Sequence, residues 1–264
     1  MPSAVSMLTT SPSTGGCSGS RLLAEAARPC RHAVGDRWFC ILTDIVQGPV
    51  DILYGTSNNP ILLRFNVATG TFLAPIDIPN SNAVAGDLAV HGDDIWFTDF
   101  NNDSLWRYNI TAGQFTQFPV PEPSDAVVDN AGDVWFTAPL DGSIDRLDPA
   151  TGAVESFPVP DGLSPRQITI ATDGQIWFTS RFALQGVGRL NPATGVVATF
   201  PTPSNPGPEG IAASPDGSIW CTQDHQGQHR QDQQRWCHHR GQGGQGQRYR
   251  SGSPSRPTGT RGTR

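Results

Sequence analysis

Four near-copies of one tripeptide constrain this chain more than anything else in it: Trp96-Phe97-Thr98, Trp135-Phe136-Thr137, Trp177-Phe178-Thr179 and the altered Trp220-Cys221-Thr222. Successive tryptophans stand 39, 42 and 43 residues apart. A period near ~40 residues, with short apolar runs and turn residues inside each unit, predicts an all-β propeller in which one repeat is one blade. Residues 93–121, 132–160 and 174–203 align along their length. An eroded earlier copy places Asp51-Ile52-Leu53-Tyr54 before Asp94-Ile95-Trp96-Phe97, and Arg64-Phe65-Asn66 before Arg107-Tyr108-Asn109. The count is four nearly full repeats and the start of a fifth.

Local chemistry divides each unit into four strands. Two β-rich runs flank Asn130-Ala131-Gly132 or Thr172-Asp173-Gly174, residues that tolerate the positive φ of a tight hairpin. A third run carries Arg146 or Arg189, an Ala-Thr-Gly turn follows, and a run ending in Phe-Pro closes the unit. Prolines fall at strand ends, where a missing N–H costs no ladder bond. The repeated tryptophans are expected to pack between neighbouring blades. The recurrent Arg107, Arg146 and Arg189, each followed two residues later by Asn or Asp, are expected to close a blade turn through charge-assisted hydrogen bonds.

Composition narrows the partners. The 264 residues carry a formal net charge of −6 with no basic stripe, so neither nucleic acid nor an anionic membrane surface is expected. No apolar run approaches ~20 residues, so no membrane span is expected, and the first 40 residues lack the apolar core of a secretory signal. The sequence fixes no compartment. Five cysteines, odd in number and without C-x-x-C spacing, argue against a zinc site and against a complete disulfide framework.

The blade sequence resembles the streptogramin B lyase family, also called the virginiamycin B lyase family. The resemblance rests on the Asp-Gly-x-Ile-Trp-Phe-Thr strand pair, the Gly-Arg-Leu-Asn-Pro-Ala-Thr-Gly turn at 188–195 and the closing Phe-Pro-Val-Pro or Phe-Pro-Thr-Pro, across residues 46–224. It implies a seven-bladed propeller and an enzyme that opens the ester of a cyclic depsipeptide antibiotic by elimination, assisted by a divalent cation such as Mg2+. Such chemistry needs a base for the proton alpha to a carbonyl and a cation or donor for the developing enolate. The family supplies these from the histidine of a Pro-His-(Ala or Gly)-Ile motif and from glutamates in and near the later blades.

Carried over residue by residue, that machinery is absent. After the motif proline stand Ser124, Arg166 and Glu209, and the drifted copy offers Ala85. After the tripeptide stand Asp99, Ala138, Ser180 and Gln223. Glu122, before Pro123, matches the acid that can precede the family's Pro-His pair. The residues left as candidates at the mouth of a propeller channel, for a small-molecule ligand, are Asp99, Glu122, Arg166, Arg181 and Glu209. The catalytic residues remain unassigned and no metal ligand is named. Two alternatives stand beside the lyase: a non-catalytic binding module and an inactive truncated product.

Three segments follow: residues 1–45 poorly structured, 46–224 the propeller repeats, and 225–264 a disordered low-complexity tail. The tail contains no Leu, Ile, Val, Phe, Met or Ala and cannot bury a core. His225, His229, His238 and His239 lie there without a framework to organise them as metal ligands. The tail also reads as blade sequence translated in a shifted frame. A Gln-Asp codon pair shifted by one base yields Lys or Arg, and Gln231-Asp232 begins eleven residues after Trp220, as Arg146 follows Trp135 by eleven.

Overall fold

The computed structural model describes residues 42–180, 186–201, 207–223 and 235–240, together with two short strands at 33–34 and 37–38; at 33–34, 37–38, 201, 223 and 235–240 it describes the backbone alone. The chain divides into two units, Met1–Val159 and Pro160–Arg264.

In the first unit, β1 (Ala33–Val34) pairs with β2 (Arg37–Trp38). Three four-stranded antiparallel meanders follow. The first blade is β3 (Leu42–Gln47), β4 (Ile52–Ser57), β5 (Ile61–Asn66) and β6 (Thr71–Asp77). The second is β7 (Leu88–His91), β8 (Asp94–Asp99), β9 (Ser104–Asn109) and β10 (Gln114–Pro119), and the third is β11 (Ala126–Val128), β12 (Val134–Ala138), β13 (Ser143–Leu147) and β14 (Val154–Pro158). In the second unit, β15 (Pro165–Ile170), β16 (Ile176–Ser180), β17 (Gly186–Leu190) and β18 (Val197–Pro201) make the fourth blade. A three-stranded sheet ends the described chain: β19 (Pro208–Ala213), β20 (Ser218–Gln223) and β21 (Arg235–Arg240). The all-β propeller class with four-stranded blades, predicted from the repeat, is what the chain adopts.

Turn chemistry sets the meander. Gly132, Gly174 and Gly217 close the first hairpin of their blades at φ 93, 77 and 80, where a side chain would be strained. The next turn uses the Asn or Asp that ends the third strand. Asn109 Oδ1 accepts the Ala112 N–H at 2.8 Å, Asp148 Oδ1 accepts Ala150 N–H at 2.8 Å, and Asn191 Oδ1 accepts Ala193 N–H at 3.0 Å. Hydrogen bonds to two backbone and side-chain donors hold the Asp148 carboxyl below its ordinary range.

The arginine does something other than expected. It lies across the ladder from the tryptophan, in the pairs Trp96–Arg107, Trp135–Arg146 and Trp177–Arg189. Each guanidinium carbon sits 5.6–5.7 Å from the centre of its indole. The closing Phe of the fourth strand packs on the same indole, with ring centres 5.3 Å apart for Trp96 and Phe118 and 5.4 Å for Trp135 and Phe157. The turn thus belongs to the Asn or Asp alone, and the arginine caps an aromatic face.

Alternation along β8 explains the packing. Phe97 and Ile95 point into a cluster with Tyr54 and Leu62 of the first blade, while Trp96 points into a cluster with Val134 and Phe136 of the third. Phe136 likewise packs against the second blade, and Trp177 packs against Ile219 and Cys221 of the sheet that follows it, so within each unit Phe faces the blade before and Trp the blade after. Opposite Phe97, Phe136 and Phe178 the third strand carries Trp106, Asp145 and Gly188. A Cβ on Gly188 would lie 2.1 Å from Phe178 Cζ, so the ring occupies the space that a side chain would need.

Two boundaries differ from the sequence expectation. β3 begins at Leu42, inside the 1–45 segment, because Leu42 lies over Gly55, whose added Cβ would stand 2.9 Å from Leu42 Cδ1. Residues 235–240, inside the tail, pair with β20 in register. A ladder needs only backbone N–H and C=O groups, so a polar strand satisfies an edge without a core. Cys221, in the place of Phe, is buried and disulfide-bonded, and its ladder partner is Cys237.

Candidate functional site

The threonine of the tripeptide builds the site's framework. Thr98 Oγ1 accepts the Asp87 N–H at 3.1 Å and donates to the Ser124 carbonyl of the next blade at 3.3 Å. Thr179 Oγ1 accepts Gln167 N–H at 3.1 Å and donates to the Glu209 carbonyl at 3.0 Å. Thr56 donates to the Gly86 carbonyl at 2.7 Å, and Thr137 and Thr222 accept Asp125 N–H and Gly210 N–H at 3.1 and 2.8 Å. One hydroxyl thus ties the inner strand of its own blade to the start of the inner strand of the next. These clasps were not foreseen from sequence, although the invariance of Thr across all four tripeptides was the signal for them.

The clasp corrects one alignment. Gly86, rather than Ala85, stands where Ser124 and Glu209 stand, because Gly86 N–H donates to the Thr98 carbonyl at 2.8 Å as Ser124 N–H does to Thr137 at 2.9 Å. The first hairpin of the second blade is one residue shorter, pairing Val90 with Ile95 where the third pairs Val128 with Val134. Counting back from the tryptophan therefore misses by one there.

Four of the five sequence candidates have a definite place. Asp99 ends β8 fully buried, and its carboxylate accepts from Asn102 Nδ2 at 2.9 and 3.0 Å, Trp106 Nε1 at 3.3 Å and Val84 N–H at 3.3 Å. It anchors the 3-10 turn Phe100–Asn102. Glu122 is half-buried in the connection between the second and third blades, at φ 37. Desolvation, then repulsion from Asp141 and Asp103, pushes its carboxyl above the ordinary range. Arg166 and Glu209 are exposed, near the starts of the adjacent inner strands β15 and β19. Arg181 lies outside the described residues. The candidates thus fall into two groups, Asp99 with Glu122 in the first unit and Arg166 with Glu209 in the second.

A cation-assisted elimination finds little here to hold its cation. The positions after the tripeptide offer a carboxylate only at Asp99, whose oxygens already accept from neutral donors, and Ala138 and Ser180 offer none. Among the described residues no group of three or more His, Cys, Asp or Glu side chains is arranged to hold a metal. His91, exposed on the β7–β8 hairpin, is the one imidazole whose surroundings are described. The described residues do not fit the family's Mg2+ site.

The comparisons with known proteins agree with the blades. The model of the virginiamycin B lyase family matches residues 72–231. A streptogramin B lyase structure is 26% identical, with a TM-score of 0.62 over 68% of this chain and 61% of its own length. A catalytically inactive histidine-to-alanine virginiamycin B lyase from Staphylococcus aureus, solved with quinupristin, is 23% identical, with a TM-score of 0.61 over 69% of this chain and 62% of its own. The selenomethionine form of the Staphylococcus aureus enzyme is 20% identical, with a TM-score of 0.63 over 76% and 70%. The last two likenesses speak for the fold alone. No curated protein matches the chain. The chain spans about 61% of the streptogramin B lyase it resembles. With more than half of its residues matched by the family model, this chain belongs to the virginiamycin B lyase family.

Proposed function

We propose that this chain is a streptogramin B lyase-like propeller protein that binds a small cyclic depsipeptide without opening it. One observation carries the reading: the clasps that fix the inner-strand starts are present, but the side chains displayed there are Ser124, Arg166 and Glu209, with no imidazole among them. An elimination needs a base within hydrogen-bond reach of the proton alpha to the carbonyl. An exposed guanidinium and carboxylate on neighbouring strands instead offer orienting contacts, Arg166 to a ligand carbonyl and Glu209 to an amide N–H.

The test is incubation of the purified full chain with quinupristin in the presence of Mg2+. Calorimetry reads binding and chromatography with mass spectrometry reads ring opening. Saturable binding that weakens in Arg166→Ala, with no ring-opened isomer of unchanged mass, supports the proposal. Appearance of that isomer at a rate proportional to protein restores the lyase reading, and absence of binding favours the inactive product.

A further inference from the structure

Three buried side-chain oxygens of the described residues lack a well-formed hydrogen bond: Glu122 Oε2, Ser143 Oγ and Asp145 Oδ1, although the Ser143 and Ser156 hydroxyls lie near enough to Asp145 to favour its charged form. Glu122 lies on the connection leaving the second blade, and Ser143 and Asp145 stand on the third strand of the third, so all three border the seam where these two blades pack. Backbone bonds put them there. Val120 N–H donates to the Asp103 carbonyl at 2.9 Å and Ser124 N–H to the Thr137 carbonyl at 2.9 Å, so Glu122 is pinned between two anchors. The residue after Thr137, Ala138, pairs with Ser143 across the ladder. Ser143 and Asp145, two apart on β13, share a face and are 3% and 2% exposed.

The seam is also negative. Asp103 and Asp141 border it, and no Arg pairs with Glu122 or Asp145 among the described residues. Residues 42–223 carry 20 acidic side chains against six arginines and no lysine. A carboxylate left buried without a cationic partner destabilises the fold, so the seam favours a positive ion.

We propose that this seam is a binding site for a hard divalent cation, with Ca2+ the best fit, held by Glu122, Ser143 and Asp145. The donors are all oxygen, and Ca2+ accepts carboxylates, neutral oxygens and water in flexible geometry where Mg2+ demands an octahedron. With two carboxylates the site is weak, with a Kd of about 10⁻⁴–10⁻³ M on the scale of modest oxygen-donor sites. Its role is structural. The cation joins the connection leaving the second blade to the third strand of the third, beside Ala138, whose place after the tripeptide carries no donor of its own.

The experiment uses the full chain, stripped with chelator and titrated with CaCl2 or MgCl2 while the melting temperature and the heat of binding are followed. A rise in Tm of a few degrees at millimolar Ca2+, smaller with Mg2+ and lost in Asp145→Asn and in Glu122→Gln, is the expected result. Glu122→Gln, at a half-exposed position, keeps the test open should Asp145→Asn not fold. No Ca2+-dependent rise, or an equal rise in both variants, overturns the proposal. So does a seam stabilised equally by acid in chelator, which would mean that protons alone occupy it.

Discussion

Trp135 and Trp220 occupy the same place in two blades and have opposite environments. Trp135 is 1% exposed, with Arg146 across the ladder and Phe157 of the fourth strand on its ring; Trp220 is 39% exposed, with His238 across the ladder. The tripeptide is nearly the same, so the difference comes from what packs on the indole, to which strands three and four contribute. In the third blade the third strand returns eleven residues after the tryptophan, whereas in the last sheet it returns eighteen residues after it. A tryptophan in this fold is therefore buried jointly by its own blade's outer half and, as for Trp96 and Trp177, by the blade that follows, and the inner hairpin alone does not enclose it.

The sharpest way to break this comparison is truncation. Trp135→Ala should cost about 3–5 kcal/mol, as for large aromatic deletions in a packed core, while Trp220→Ala should cost under about 1 kcal/mol. Urea denaturation of the two variants reads both, and equal losses would mean that Trp220 is enclosed after all.

Next in size is the clasp. Thr98→Val removes an acceptor for Asp87 N–H and a donor to the Ser124 carbonyl, and should cost about 1–3 kcal/mol through the buried groups left unpaired. Amide exchange at Asp87 should accelerate. Thr222→Val, which strands only the Gly210 N–H, should cost less, and the reverse order would break the link between blade completeness and clasp strength.

A third test concerns charge rather than packing. Burial, reinforced by Asp141, raises the Asp145 carboxyl above its ordinary value, although Ser156 and Ser143 pull the other way. The folded state then holds the proton to higher pH than the unfolded one. Stability falls as pH rises from the unfolded carboxylate range through the folded value, and the penalty is in full force at neutral pH. In chelator, Asp145→Asn should therefore be more stable at pH 7 by on the order of 1 kcal/mol, with the gain vanishing toward pH ~4. Urea titrations across that range check the sign.

The smallest effect expected is at the arginine cap. Arg107→Gln should cost about 0.5–1 kcal/mol, the scale of an indole–guanidinium contact. Arg146 also pairs with Glu155 at 2.6 Å and Asp133 at 3.8 Å, but both contacts are solvent-screened. Its replacement should add no more than about 1 kcal/mol to that figure, and calorimetric melting separates the two.

The blade was legible because its determinants are local. Trp, Phe and Thr alternate across a strand, the hairpin glycines need positive φ, and the Asn or Asp after the arginine closes the next turn. The arginine's partner was not legible, since Arg146 is near Asp148 in sequence but opposite Trp135 in the ladder. Nor was Gly86, which a one-residue change of hairpin length moved past Ala85. The seam oxygens of Glu122, Ser143 and Asp145 come from a connection and a strand 21 residues further on, and no spacing rule joins them. The tail was read from side chains, whereas β21 exists through its backbone.

The threonine clasp has a consequence for how such a protein can change. Because the hydroxyl grips main-chain atoms, the residue it grips is chosen freely by the gene: Gly86, Ser124 and Glu209 sit in equivalent sockets with equivalent bonds. Blades built this way can exchange their chemistry one socket at a time, from base to alcohol to carboxylate, without renegotiating the fold.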